Sequence, residues 1–287
     1  MLKREAFTCI AIYFTWHTVF MEESGMTEGR KPRNDWTRVQ VLAGLHVYLQ
    51  LNYGQLHARN PKVKELASWI GRTANSVALK LCNLASLDPA VIASGRKGMD
   101  GASKVDKAVW TELLGNWDAT VVEAASIYGQ LAVGHGFDLA DELEIELPPT
   151  ELGRTRSATV QVRVNQARFR KSVLVGYNST CCISGLQNER LLIASHIVPW
   201  SQDTHNRLNP QNGLCLSALH DRAYDQGLIT VLPDYTVRVS AKLKAKSADT
   251  FLQESLLRFD KTHIRMPSRL APAPDFLAWH ASHFGYI

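Results

Sequence analysis

Residues 191–201, LLIASHIVPWS, constrain the fold more than any other stretch: an ionisable imidazole closes an apolar strand, just ahead of a proline. Leu191, Leu192 and Ile193 read as a buried strand, and His196 stands at its end. An imidazole there is either a satisfied core histidine or a working group, and its neighbours decide. A polar loop runs from Ser201 to Gln211. Asn212 then opens a second strand, GLCLS, and His220 lies in the first turns of a helix, ALHDRAYD. The order is strand, loop, strand, helix, with GLITV and YTVRVS as further strands and a proline-interrupted tail (Pro267, Pro272, Pro274) that ends helical.

The segments VQVRVNQARFRKSVLVGYNSTCCISGL, LLIASHIVPW and RLNPQNGLCLSALHDRAYDQGLITV resemble the bacterial HNH endonuclease family nearly continuously from Val160 to Val231. The resemblance implies a ββα-metal nuclease unit. In it His196 is the general base, Asn212 orients that base, and His220 is a metal ligand. Ser195 and Asp221 complete the implied ligand set, with Asp225 close by. The residue types suit the chemistry. Phosphodiester hydrolysis needs an in-line nucleophile, and a neutral imidazole near pH 7 can take a proton from water. A divalent metal can hold the phosphate and neutralise charge on the leaving oxygen. The implied cofactor is Mg²⁺ or Mn²⁺, with no structural zinc. One departure stands out: many relatives carry Asp or His where this chain has Ser195, a weak ligand.

Upstream, helical spacing begins at Trp36 and continues through Val39, Leu42, Leu45, Tyr48 and Leu49. Asn60 before Pro61 marks a helix start, Gly71 breaks that helix, and Thr73 can cap the next. The stretch ELASWIGRTANSVALKL resembles a helix-turn-helix element. Its expected DNA-facing residues are Arg72, Asn75, Ser76, Lys80 and Asn83, whose amide, hydroxyl and cationic groups can reach base edges or phosphates. The basic glycine-rich loop at 94–104 and the arm GRKPR would add phosphate contacts.

The expected fold class is α+β, a helical helix-turn-helix-like domain followed by the ββα-metal HNH domain. Residues 1–33 read as a disordered or non-native extension, with Met21 or Met26 as an alternative start. Residues 34–120 read as the DNA-recognition domain, 121–153 as a helical and acidic linker, and 154–287 as the nuclease domain. The linker reading rests on DLADELEIELPPTE, six acids and no base. Within the nuclease domain ATVQVRV, residues 158–164, alternates as a strand, and Phe169, Val173 and Leu174 fall at helical spacing.

Composition sets the outer limits. At 287 residues with 45% apolar and 21% charged side chains, the chain can bury a substantial core. A formal charge of +5 permits a nucleic-acid partner without demanding one. The five cysteines (Cys9, Cys82, Cys181, Cys182, Cys215) form no CxxC pair, which speaks against a disulfide framework and for a reducing cytoplasm. Cys182 and Cys215 read as core residues. The apolar run at residues 7–20 falls short of the ~20 residues a bilayer span takes, so no membrane partner is expected. The expected partner is double-stranded DNA, cut by a homodimer in restriction or defence, including defence against modified DNA. The rival reading is a DNA-binding regulator with an inactive HNH unit.

Overall fold

The computed structural model describes residues 35–95, 101–137, 154–245 and 248–287. The extension 1–33, the acidic stretch 138–151 and residues 96–100 of the basic loop lie outside the described residues. Local capping signals set where the helices begin. Thr37 and Gln40 form a capping box at the start of α1 (Arg38–Gln50). Asn60 accepts from the Lys62 N–H and Pro61 takes the first position of α2 (Pro61–Trp69). Gly71 turns the chain at φ +64°, where a Cβ would be strained, and Thr73 caps α3 (Ala74–Ala85). Asp88 caps α4 (Pro89–Ala93), and Ser103 with Asp106 boxes the start of α5 (Lys104–Gly115).

Every residue of α1 from Val41 to Leu49 is buried, so this helix runs through the core rather than along a surface. α2, α3 and α5 pack around it, as does α6 (Trp117–Gly134). The expected domain boundary at residue 120 therefore cuts a core helix. Trp117, Val121, Ala124 and Tyr128 of α6 are all buried. Residues 121–134, expected in the linker, belong to this helix, and the acidic stretch 138–151 lies outside the described residues.

α3 brings a second correction. Lys80 and Asn83, expected on a DNA-facing surface, are 4% and 7% exposed. Lys80 Nζ pairs with Asp106 of α5 at 2.7 Å, and the Asn83 amide donates to the Gly101 carbonyl at 3.1 Å. The helix is covered on three sides, and only Asn75 and Leu79 of residues 74–80 stay exposed.

The third correction concerns residues 158–164, which lie within the long helix α7 (Arg154–Gly176) rather than in a strand. β-branched residues carry only a weak preference, and the continuous helix on which Phe169 and Val173 sit overrides it. After α7 come β1 (Leu192–His196), β2 (Gly213–Ser217) and α8 (Ala218–Asp225). β1 and β2 are antiparallel, with Leu192 opposite Ser217 and His196 opposite Gly213. A second antiparallel pair follows, β3 (Ile229–Val231) with β4 (Val237–Val239), then α9 (Ala241–Lys244), α10 (Thr250–Ser255) and α11 (Pro274–His283). The fold class is α+β, as expected.

The helical part and the C-terminal part are not separate bodies. Their buried residues form one apolar cluster. Arg269, 1% exposed, donates to the Tyr48 carbonyl and, at 2.8 Å, to the Leu49 carbonyl at the end of α1. A cation at a helix C-terminus satisfies carbonyls that the helix leaves open. The Asp88 carboxylate accepts from the Leu270 N–H at 2.8 Å, and Asp118 accepts from the Leu208 N–H at 2.8 Å. Among the described residues no helix is long and apolar enough to cross a membrane.

Candidate active site

The β1–β2 hairpin fixes the site because one residue staples its loop. Asn212 Oδ1 accepts from the Val198 N–H at 2.8 Å, and its amide donates to the Val198 carbonyl at 3.1 Å and the Asn206 carbonyl at 3.4 Å. Its own carbonyl accepts from the Ile197 N–H at 3.0 Å. Asn212 is 1% exposed, so these bonds form away from competing water. It positions the backbone on both sides of the loop that follows His196.

His196 closes β1 and is half-buried. Its Nε2 lies 2.9 Å from the Arg207 carbonyl. A carbonyl only accepts, so Nε2 carries the proton and the lone pair sits on Nδ1. The ring stacks on Phe169 of α7 at 3.7 Å and 12°, with Trp200 edge-on at 5.5 Å. Burial holds the imidazole below its ordinary value of 6.5, against the opposing pull of the Arg207 carbonyl. It is therefore neutral near pH 7, with one ring nitrogen anchored and the other able to take a proton.

Gly213 stands opposite His196 and has no room for a side chain. A Cβ there would lie 2.6 Å from Val173 Cγ2 and 2.9 Å from Phe169 Cζ. The missing side chain lets α7 close on the hairpin and press Phe169 against the imidazole. Phe169, Arg207 and Gly213 escaped the sequence reading as site residues. The glycine after Asn212 was the one available signal, and it reads equally well as an ordinary turn.

His220 enters through the first turn of α8, capped by Ser217. It is 3% exposed. Its Nδ1 lies 2.6 Å from Ser217 Oγ and 3.9 Å from Cys181 Sγ, while Nε2 is buried with no hydrogen-bond partner. Ser195 Oγ is likewise buried without a partner in hydrogen-bonding geometry. Burial raises the Asp221 carboxyl, with the Ser195 hydroxyl acting in the other direction and Asp225 adding to the rise. Asp225 is raised too, again by burial. Among the described residues no three His, Cys, Asp or Glu side chains gather into a group that could hold a metal ion.

Cys181 is fully buried, and its Sγ accepts from the Ser217 N–H at 3.2 Å and the Ser184 N–H at 3.4 Å. Burial pushes this thiol up, but the bonds from His220 and Ser184 outweigh it and bring it down to about 6. Burial, with Cys181 adding to it, pushes the Cys215 thiol up to about 12. Of the expected DNA-facing residues, Arg72 lies over the Trp36 ring at 4.3 Å and donates to Gln40 Oε1 at 2.9 Å. Asn75 is exposed, and the Ser76 N–H caps onto Thr73.

No curated protein matches the chain. Residues 181–232, which hold β1, β2, α8 and the loop between the strands, match the family model described as HNH endonuclease. The C-terminal part of the chain carries an HNH endonuclease domain.

Proposed function

We propose that the protein is a metal-dependent DNA endonuclease of restriction or defence type that hydrolyses phosphodiester bonds with His196 as general base. The observation that carries this reading is the His196 tautomer. With Nε2–H held by the Arg207 carbonyl, Nδ1 is the proton acceptor. As a water oxygen bonds to phosphorus and the bond to the leaving oxygen breaks, the water's proton passes to Nδ1. The resulting imidazolium keeps its bond to Arg207, so the ring does not move during the step. Help of this kind is worth roughly 10²–10⁴ in rate. Asn212 holds the loop that supplies the Arg207 carbonyl.

The unpartnered His220 Nε2, with the Ser195 hydroxyl beside Asp221, fits a weak, oxygen-rich cation site better than a closed one. His220 Nε2, Ser195 and Asp221 are the groups that would hold Mg²⁺ or Mn²⁺. Bound there, the ion would neutralise charge on the leaving oxygen. If Nδ1–H of His220 donates to Ser217 Oγ, its Nε2 lone pair is the one turned to the ion. In this reading Asn75, exposed on α3, meets DNA, with the half-buried Arg72 and Ser76 beside it. A double-strand break takes two such sites, which a homodimer supplies.

Supercoiled plasmid nicking tests the reading. Wild type should cut with Mg²⁺ or Mn²⁺ and stop in excess EDTA, and His196→Ala should lose about a hundredfold or more. Cutting in chelator removes the metal, and a His196→Ala variant with a tenth of wild-type activity removes the base. Ser195, in place of an acid, favours the rival regulator; binding without cleavage under every metal would establish it.

A further inference from the structure

The Arg207 carbonyl that anchors His196 Nε2 is one end of a peptide unit whose other end is the Leu208 N–H. Among the described residues no peptide bond is cis. In a trans peptide the C=O and the N–H point in opposite directions. The carbonyl faces His196 at 2.9 Å, so the N–H faces away from the imidazole, toward α6. There Asp118 Oδ1 accepts from it at 2.8 Å. A planar unit bonded at both ends has little freedom to rotate.

Asp118 is available for this because Asn116 caps its helix, accepting from the Ala119 N–H at 3.0 Å. The Asp118 N–H donates to the His205 carbonyl at 3.3 Å, so one residue grips the loop at His205 and at Leu208. Its neighbours Trp117 and Val121, buried in the core, fix this end of α6. Arg207 Nε donates to the Trp200 carbonyl at 2.9 Å and steadies the same peptide from the loop side. Asp118 is half-buried. Burial raises its carboxyl, while the Leu208 N–H and Arg207 favour the carboxylate and Asp203 opposes it. Asp203 is itself engaged, accepting from the His205 and Asn206 N–H groups at 3.0 and 3.2 Å.

We propose that Asp118 is a positioning residue for the reaction: through the Leu208–Arg207 peptide it sets the carbonyl that holds His196 Nε2–H, and so aims Nδ1 at the attacking water. The proposal rests on His196 as general base. It adds a residue of the helical part, outside residues 181–232 that match the family model. In this role Asp118 touches neither substrate nor metal, and no proton crosses the peptide. The carboxylate polarises the peptide, which makes its carbonyl a stronger acceptor, most of all once His196 carries its second proton.

Single-turnover nicking by the full chain at saturating plasmid tests this, with urea melts and duplex affinity in EDTA as controls. Asp118→Ala should slow the reaction about ten- to a hundredfold, the loss expected of a base displaced by about 1 Å. Duplex affinity should stay at the wild-type value. Asp118→Asn keeps an oxygen for the Leu208 N–H and should recover the rate to within about fivefold of wild type. In a His196→Ala background Asp118→Ala should cost no more than about twofold, because residues acting through one group are not additive. A residue that only supported the fold would lower both backgrounds alike. Proton NMR of protein carrying isotope-labelled histidine is a second readout that needs no cleavage. His196 Nε2–H, assigned by its loss in His196→Ala, should be protected from exchange in wild type and in Asp118→Asn, and should exchange with water in Asp118→Ala. The proposal is overturned by a folded Asp118→Ala that cuts like wild type, by an equal loss in the His196→Ala background, or by an Nε2–H that stays protected without Asp118. Wild type alone also tests it, whether or not Asp118→Ala folds, because a freely exchanging Nε2–H there refutes the hold. A His196→Ala protein that cuts like wild type refutes the general base itself, and the NMR readout separates that failure from this one.

Discussion

Lys80→Ala should damage stability rather than DNA recognition. Lys80 Nζ sits 2.7 and 2.8 Å from the two Asp106 oxygens, with the side chains 5% and 0% exposed. Its ammonium also lies 4.9 Å from the Trp36 ring centroid. Truncation leaves the Asp106 carboxylate buried with the Ser103 N–H, at 2.7 Å, as its remaining donor. Breaking a buried pair from one side costs about 3–5 kcal/mol. Typical folds have only about 5–15 kcal/mol in reserve. With a urea slope near ~3 kcal/mol/M, the unfolding midpoint should fall by about 1–1.7 M. Lys80→Met with Asp106→Leu removes both charges and should recover most of the loss, less about 1 kcal/mol for the severed helix cap. Urea melts of the three proteins decide the matter, with duplex binding measured at a temperature where all are folded. A Lys80→Ala protein that unfolds within about 1 kcal/mol of wild type yet binds DNA poorly would refute the buried assignment.

Stability should fall in acid. His46 and His280 are buried and neutral, with burial lowering them to about 3 and about 4 from an ordinary 6.5. As pH drops through 6.5 the unfolded chain takes protons that the folded chain refuses, at a slope that approaches about 1.4 kcal/mol per histidine per unit, or about 3 kcal/mol in all between pH 6.5 and 5. Denaturant melts that do not change over that range would contradict this. Cleavage should follow neutral His196, whose pKa burial depresses, so the acid limb of the pH–rate profile should have its midpoint below 6.5. A midpoint above 7 would point to another base. Gly213→Ala should push Phe169 off the His196 ring, since the new Cβ meets Phe169 Cζ at 2.9 Å. We expect a stability loss of about 1–3 kcal/mol together with loss of cleavage, and an unaltered rate would show that the stack is dispensable.

The sequence by itself determined the local grammar of the site. A strand ending at His196, an asparagine opening the next strand and a histidine in the following helical turn are set by patterns a few residues long, although β1 is only partly buried and Leu191 lies exposed ahead of it. The caps at Asn60 and Thr73 are equally local, because the side chain and the N–H it accepts from lie two or three residues apart. Only the tertiary structure decided which way the remaining groups point. Lys80 and Asn83 carry polar side chains at helical spacing, and nothing within α3 says that Asp106 and Gly101 will stand opposite them. Residues 158–164 alternate like a strand, yet they belong to a helix whose later turns pack on Gly213, over forty residues further on. The two expected domains became one body because Arg269 reaches the end of α1 and Asp88 reaches Leu270, contacts spanning 220 and 182 residues. Such pairings depend on what the rest of the chain brings alongside, and a linear pattern holds no record of it.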